Sequence, residues 1–345
     1  MERTRRRLLG VYLELRAVPV LLWSYTAITL GTALAWYQEG RLDVAGYLVA
    51  IGVGVLLQGL VAHSVNEVAD WRSGTDRDPA PRVISGGSKV IASGLLTERE
   101  LHWLGVAAAV AAAVLGLVAA ATWGWGLLAF GAIGLAGAVL YTVPPVRAAY
   151  RPFAGESVAF TCIWACTAGA YALQTGRISG AVAVAGIAYA AYCVGMLMMH
   201  HYLDREPDRR ALPPKQTSVV VLGGAAKRYA VAWAAIATAG FALLAVLVDP
   251  RFALGAGTFA VAIVLHAAVR PEDPVSVTRA ELGVILLGLA GGLGTSALLA
   301  PQLAWALIPA VVLIPFELKV AGAAHRELLA RRARAAEAAP AGRDA

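Results

Sequence analysis

The chain has 345 residues, of which 59% are hydrophobic and only 15% charged, with a mean hydropathy of +0.67 and a net charge of +7. Soluble domains carry about 25% charged residues, so this composition excludes a water-soluble globular protein and indicates an integral membrane protein. The basic balance calls for no nucleic-acid partner, because basic loops orient membrane proteins and meet anionic lipid.

In chain order, a basic head, MERTRRRLLG, comes first, and Glu14 and Arg16 stand between it and the first apolar run. That interruption argues against a cleaved secretory signal. Ten apolar segments follow, at 17–37, 46–66, 101–121, 124–143, 156–174, 179–201, 228–248, 252–269, 281–300 and 303–322. Each has the length that about 30 Å of hydrocarbon requires, and their many Ala and Gly residues suit closely packed helices rather than strands. Pro309 and Pro315 interrupt the tenth, although membrane helices tolerate proline. The expected fold is therefore all-α, a polytopic transmembrane bundle of nine or ten helices. Residues 1–16 form a basic cytoplasmic head, 17–322 the membrane domain, and 323–345 an Ala-, Arg- and Glu-rich cytoplasmic tail, expected as a helical extension that frays into disorder.

Alternating the loops from a cytoplasmic N-terminus puts all but Arg41, Arg177 and Arg251 of the 29 Lys and Arg residues on the cytoplasmic side. The positive-inside bias thus gives an N-in, C-in protein, expected in a bacterial plasma membrane. Cys162, Cys166 and Cys193 fall inside helices, where small packing residues are the simplest reading.

Two acidic clusters interrupt this pattern. The second segment ends in NEVADWRSGTDRD, carrying Asn66, Asp70 and Asp76, and the sixth ends in HHYLDREPDRRALPPKQTS, carrying Asp204 and Asp208. Both lie at even-numbered helix ends, on the same side of the membrane. Asn66 and Asp70 are four apart, as are Asp204 and Asp208, so each pair shares a face if its helix continues that far. Carboxylates and an amide oxygen without Cys or His at ligand spacing suit a hard cation such as Mg2+, which takes one or two carboxylates plus substrate phosphate oxygens. Basic residues interleave with the acids, so acids to hold a metal and bases to hold a phosphate stand above an apolar bundle. A prenyl diphosphate is the ligand that fits.

Asn66-x3-Asp70-x5-Asp76 and Asp204-x3-Asp208 resemble the two aspartate-rich motifs of the UbiA superfamily of intramembrane prenyltransferases. SGGSKVIASGLLT (85–97), YTVPPVR (141–147) and the Lys215 segment ending in Leu222-Gly223 support it. The resemblance implies that Asn66, Asp70, Asp76, Asp204 and Asp208 hold Mg2+ bound to the diphosphate. It makes Arg82, Arg147 and Lys215 phosphate contacts and puts Tyr141 near the reacting end, with Asp70, Asp208 and Tyr141 as the catalytic set. Glu67 and His200-His201 depart from the family's usual residues, so the acceptor pocket is expected to differ. The spacing to Asp76 is similar to that of menaquinone-type enzymes, which prenylate 1,4-dihydroxy-2-naphthoate.

The resemblance implies transfer of a prenyl group from its diphosphate to an aromatic acceptor. The alternatives are a UbiA-like terpene cyclase, a phosphoribosyl-transferring relative and a lipid transporter. His63 and His201, each one turn before an acidic pair, are the expected acceptor contacts, and Gln58 is a candidate for the same pocket or for a helix–helix hydrogen bond. Trp164, Tyr171, Tyr189 and Tyr192 are candidates to face an allylic cation, with packing as the plainer reading. Glu156, Glu281 and Glu317 lie near helix ends and are assigned no role.

Overall fold

A computed structural model describes residues 2–77 and 87–338. All ten apolar segments are helical. In chain order we name the helices α1 (Arg3–Glu39), α2 (Val44–Ser73), α3 (Glu98–Trp123), α4 (Leu127–Leu140), α5 (Ala154–Thr175), α6 (Gly180–Arg210), α7 (Ser218–Leu247), α8 (Pro250–Ala268), α9 (Pro274–Leu299) and α10, which opens with a 3-10 stretch at Pro301–Leu307 and continues as Ile308–Ala338. Among the described residues, eight are long and apolar enough to cross a membrane. The two that fall short are α4, whose 14 residues reach only about 21 Å at the helical rise, and α5, whose 22 residues include Glu156, Thr161, Thr167 and Gln174. The last helix extends past residue 323 to Ala338, while 339–345 lie outside the described residues.

Successive helices pack side by side, and α9 returns against α1 to close the ring. Two helices are innermost. The most apolar stretches of α1 and α6 are 89% and 83% buried, against 56% or less for the other spans. Small residues permit this density: a Cβ on Gly31 of α1 would collide with the backbone carbonyl of Thr167 on α5, and one on Gly292 of α9 with Thr26 of α1 and the Tyr189 ring.

Neither α1 nor α2 is regular. Each contains a π-helical stretch, Leu21–Tyr25 in α1 and Val55–Ala62 in α2. Such bulges leave backbone groups to be satisfied from outside, and they recur at functional sites. Gln58 bridges the two, its Oε1 accepting from the Ser24 backbone N–H at 3.0 Å and its Nε2 donating to the Pro19 carbonyl at 3.3 Å.

Candidate active site

The two acidic helix ends reach their positions by different routes. On α2 the helix continues through Asn66 and Asp70 to Ser73, so those two side chains do share a face. Gly74 then takes φ +89°, a left-handed conformation that favours glycine. The reversal brings Asp76 back, its N–H donating to the Asp70 carbonyl at 3.3 Å. On α6 the helix does not continue: Tyr202–Asp204 is a 3-10 turn, followed by a six-residue helix, Arg205–Arg210. Pro207, within that short helix, has no N–H to give to a ladder continued from α6.

Both ends nevertheless open on one cavity of about 330 Å³. Asn66, Asp70, Asp76, Asp204 and Asp208 line its polar mouth together with Lys215, and Tyr141, His63 and His201 line it too. Its apolar body is lined by side chains such as Leu22, Trp23, Ile28, Leu57 and Phe130. Of the expected contacts among the described residues, Arg147 is not on that lining. Arg147 stands beside it with its guanidinium 5.5 Å from the Tyr150 ring centroid, and Arg82 lies outside the described residues. Trp164, Tyr171, Tyr189 and Tyr192 also lie off the lining, because their faces meet other helices. The hydroxyls of Tyr189 and Tyr192 donate to the backbone carbonyls of Leu22 and Val284, and that of Tyr171 to Gln38. The aromatic side chains that do line the cavity are Trp23, Phe130 and Tyr141.

Four aspartates at the mouth are less than 9% exposed, which is costly unless a cation compensates them. Part of the compensation is Lys215, 5% exposed, which is ion-paired to Asp70 Oδ1 and held in place by its own N–H donating to the Asp208 carbonyl at 2.9 Å. Burial pushes the Lys215 ammonium pKa down, but the charges of Asp70 and Asp208 outweigh burial and hold it above the ordinary lysine value. Thr217 donates its hydroxyl to Asp208 Oδ2 at 3.3 Å, and the Leu212 N–H donates to the Ser73 carbonyl at 2.9 Å, tying the loop after α6 to the end of α2. Tyr150 lies beneath two cations, with Lys215 Nζ 5.2 Å from its ring centroid, inside cation–π range.

Among the described residues that line the cavity, carboxylates outnumber the cations Arg16 and Lys215. The Asp76 carboxyl is held well above the usual carboxylate range by burial first, then by the charges of Asp70, Glu67 and Asp204. Burial also pushes the Tyr141 phenol up, so it stands at the mouth as a neutral hydroxyl. A mouth built from buried carboxylates and an amide oxygen fits a hard divalent cation. Among the described residues no three His, Cys, Asp or Glu side chains form a ready ligand shell.

Several polar groups that the sequence left without a role meet here. Glu14 and Glu67, 0% and 5% exposed, both accept from Ser88: its hydroxyl donates to Glu14 Oε2 at 2.6 Å and its N–H to Glu67 Oε2 at 2.8 Å. Glu281, assigned no role as a helix-end acid, is 1% exposed and pairs with His200. The available signal was an acid inside or beside an apolar run, which at membrane depth marks function by default.

Residues 24–282, most of the chain, match the UbiA prenyltransferase family. The chain belongs to the UbiA prenyltransferase family. It is a prenyltransferase by class and an integral membrane protein. It is 27% identical over 213 residues to the 1,4-dihydroxy-2-naphthoate octaprenyltransferase of Escherichia coli, covering 60% of this chain and 67% of that one. The protein of the same name from Bacillus subtilis is 26% identical over 201 residues, covering 58% of this chain and 62% of that one. In fold it is similar to a UbiA homologue from Archaeoglobus fulgidus bound to GPP and Mg2+, with a TM-score of 0.55 at 14% identity, over 83% of this chain and 99% of the other.

Proposed function

We propose that this UbiA-family protein is a Mg2+-dependent enzyme that transfers a prenyl group from a prenyl diphosphate to a hydroxylated aromatic acid, 1,4-dihydroxy-2-naphthoate being the favoured acceptor. The observation that carries the reading is the joint mouth, in which acids from two distant helix ends and a buried lysine stand directly over an apolar shaft. The naphthoate rests on the names of the two bacterial relatives and on the long spacing to Asp76.

Asn66, Asp70, Asp76, Asp204 and Asp208 would hold the metal. When bound, Mg2+ supplies the positive charge that offsets what builds on a departing diphosphate. The chain does the rest. Lys215, and Arg82 in our proposal, meet the diphosphate oxygens; Arg147, turned toward Tyr150, serves as a second-row cation at the same mouth. Tyr141 donates a neutral hydroxyl near the reacting carbon. The apolar body takes the prenyl chain and excludes water from the allylic cation, which the faces of Trp23 and Phe130 favour. His63 and His201 contact the acceptor. In this reading the mouth faces the cytoplasm, and cysteines placed at Leu212 and Gln216, both exposed, are expected to be labelled from that side alone.

The purified protein, reconstituted in lipid and given Mg2+, a series of prenyl diphosphates and a panel of aromatic acids, is expected to form a prenylated aromatic product detected by mass, and none after chelation. Consumption of the diphosphate without an acceptor, with a cyclised hydrocarbon or alcohol as main product, would overturn the reading in favour of a cyclase.

A further inference from the structure

His200 lines the cavity on α6, one turn before the acidic end, with Arg16 of α1 beside it. Its ring is held from both sides. Nδ1 lies 2.8 Å from Oε1 of Glu281, a carboxylate 1% exposed on α9, and Nε2 lies 3.1 Å from Nη2 of Arg16. A guanidinium carries donors only and stays protonated in proteins, so Nε2 must be the acceptor in that contact. The proton of the neutral imidazole therefore sits on Nδ1, where it donates to Glu281. A buried acid thus fixes the tautomer, with the Nε2 lone pair held by the Arg16 guanidinium in this structure; an acceptor hydroxyl that takes the place of that donor meets Nε2 as a base.

Arg16 reaches this position through an unusual backbone. It sits at φ 50° and ψ 63°, in the left-handed region that a residue with a Cβ rarely adopts, at the break between the head of α1 and its membrane stretch. Such strain concentrates where function needs it. Nothing in the diphosphate clamp uses these three residues: its acids and Lys215 come from the ends of α2 and α6 and the loops that follow.

We infer that His200 is the general base that takes the proton of the acceptor's ring hydroxyl, with Glu281 as its positioning residue and Arg16 as the cation that meets the phenolate. This rests on the prenyl transfer proposed above. As Arg16 turns from Nε2 to the acceptor oxygen, Nε2 takes the hydroxyl proton, and the electron pair left on oxygen drives a ring carbon onto the allylic carbon. The pair of the breaking C–O bond departs with the diphosphate. The alkylated ring carbon then loses its proton to water, or carbon dioxide where it carries a carboxylate. That loss returns a pair to the oxygen, which recovers its proton from His200.

The test compares wild type, His200→Gln, Glu281→Gln and Glu281→Asp in lipid, with Mg2+, farnesyl diphosphate and a series of hydroxylated aromatic acids of increasing hydroxyl acidity. Binding of farnesyl thiodiphosphate with Mg2+ reports a folded clamp. For the least acidic acceptor, His200→Gln should lower kcat about 100-fold or more, the scale of general-base catalysis. The KM for farnesyl diphosphate and the thiodiphosphate affinity should stay near wild type. The defect should shrink as the acceptor hydroxyl becomes more acidic, because an oxygen already ionised needs no base. Glu281→Gln should show the same slope at smaller amplitude, with Glu281→Asp recovering part of it. Equal loss for every acceptor, or wild-type kcat in both His200→Gln and Glu281→Gln, overturns the inference. If His200→Gln fails to bind the thiodiphosphate, Glu281→Gln carries the test, and the absence of the slope there overturns it. A wild type that prenylates no hydroxylated acid overturns the proposed function and this inference together, whereas a wild type that does so while the variants match it overturns the inference alone.

Discussion

At the end of α2 the helix runs unbroken past Asn66 and Asp70, stops at Gly74 and folds Asp76 back onto Asp70; at the end of α6 the helix gives way to a 3-10 turn before Asp208 is reached. The charge differs as much as the backbone. The α2 end gathers Glu67, Asp70 and Asp76 within 8% exposure or less, and the buried ammonium that pairs with Asp70 belongs to the loop after α6. The α6 end brings its own partners, since Lys215 and Thr217 both bond to Asp208. Two motifs that look alike in sequence are therefore complementary in space. One is an excess of acid, and the other supplies the base that makes the first tolerable.

The largest expected effect removes one carboxylate from each end. Asp70→Asn and Asp208→Asn should each lower turnover about 100-fold or more, as loss of preorganised charge stabilisation does. They should differ in stability. Asp70→Asn strips the ion-pair partner from a buried lysine and should cost about 3 kcal/mol, while Asp208→Asn leaves the Lys215–Asp70 pair intact and costs much less. Thermal denaturation in chelator checks this, and equal losses would break the asymmetry.

Lys215→Met tests the same pair from the other side. Turnover is expected to fall about tenfold, with a rise in the KM for the prenyl diphosphate that Lys215→Arg partly avoids. An unchanged KM would remove Lys215 from the diphosphate contacts.

A smaller effect, opposite in sign, is expected at Asp76. A carboxyl whose folded pKa is raised holds its proton more tightly in the fold than in the unfolded chain. Its ionisation therefore costs stability, beginning above the unfolded value of about 3.9 and growing as pH rises toward the folded value. Asp76→Asn should accordingly raise the Tm of metal-free protein, by little at pH 5 and by more at pH 8, while lowering turnover. A Tm that falls at both pH values would show that Asp76 is adequately countercharged.

The smallest effect lies away from both ends. Gln58→Leu leaves the Ser24 N–H at the π-bulge without its acceptor and should cost about 1 kcal/mol, with turnover within about twofold of wild type. A large loss of activity would make the bulges part of the acceptor pocket itself.

Much of the fold was legible because apolar runs and the distribution of Lys and Arg report directly on the membrane. The ten segments were visible for that reason, and so was the meeting of the two motifs at one end of the bundle. At α4 the apolar run, 124–143, extends past the helix itself, which spans Leu127–Leu140. Chain separation is what hid the rest. Asp70 and Asp76 announce themselves six residues apart, whereas Arg16, His200 and Glu281 come from three helices, and no local pattern joins them. The tyrosines were harder still, since an aromatic in an apolar helix carries no mark of which neighbour it faces.

Residue type and spacing alone determined an all-α membrane bundle, its two acidic helix ends and the hard-cation chemistry they suit, because hydropathy, charge bias and donor type are properties of the chain itself. Tertiary structure decided which cation pairs with which acid, that Arg147 turns to Tyr150 rather than into the cavity, and that His200 is gripped between Glu281 and Arg16. The reason is physical: a buried charge or lone pair takes its meaning from the atoms within about 3 Å of it, and those come from whichever helices the packing brings alongside.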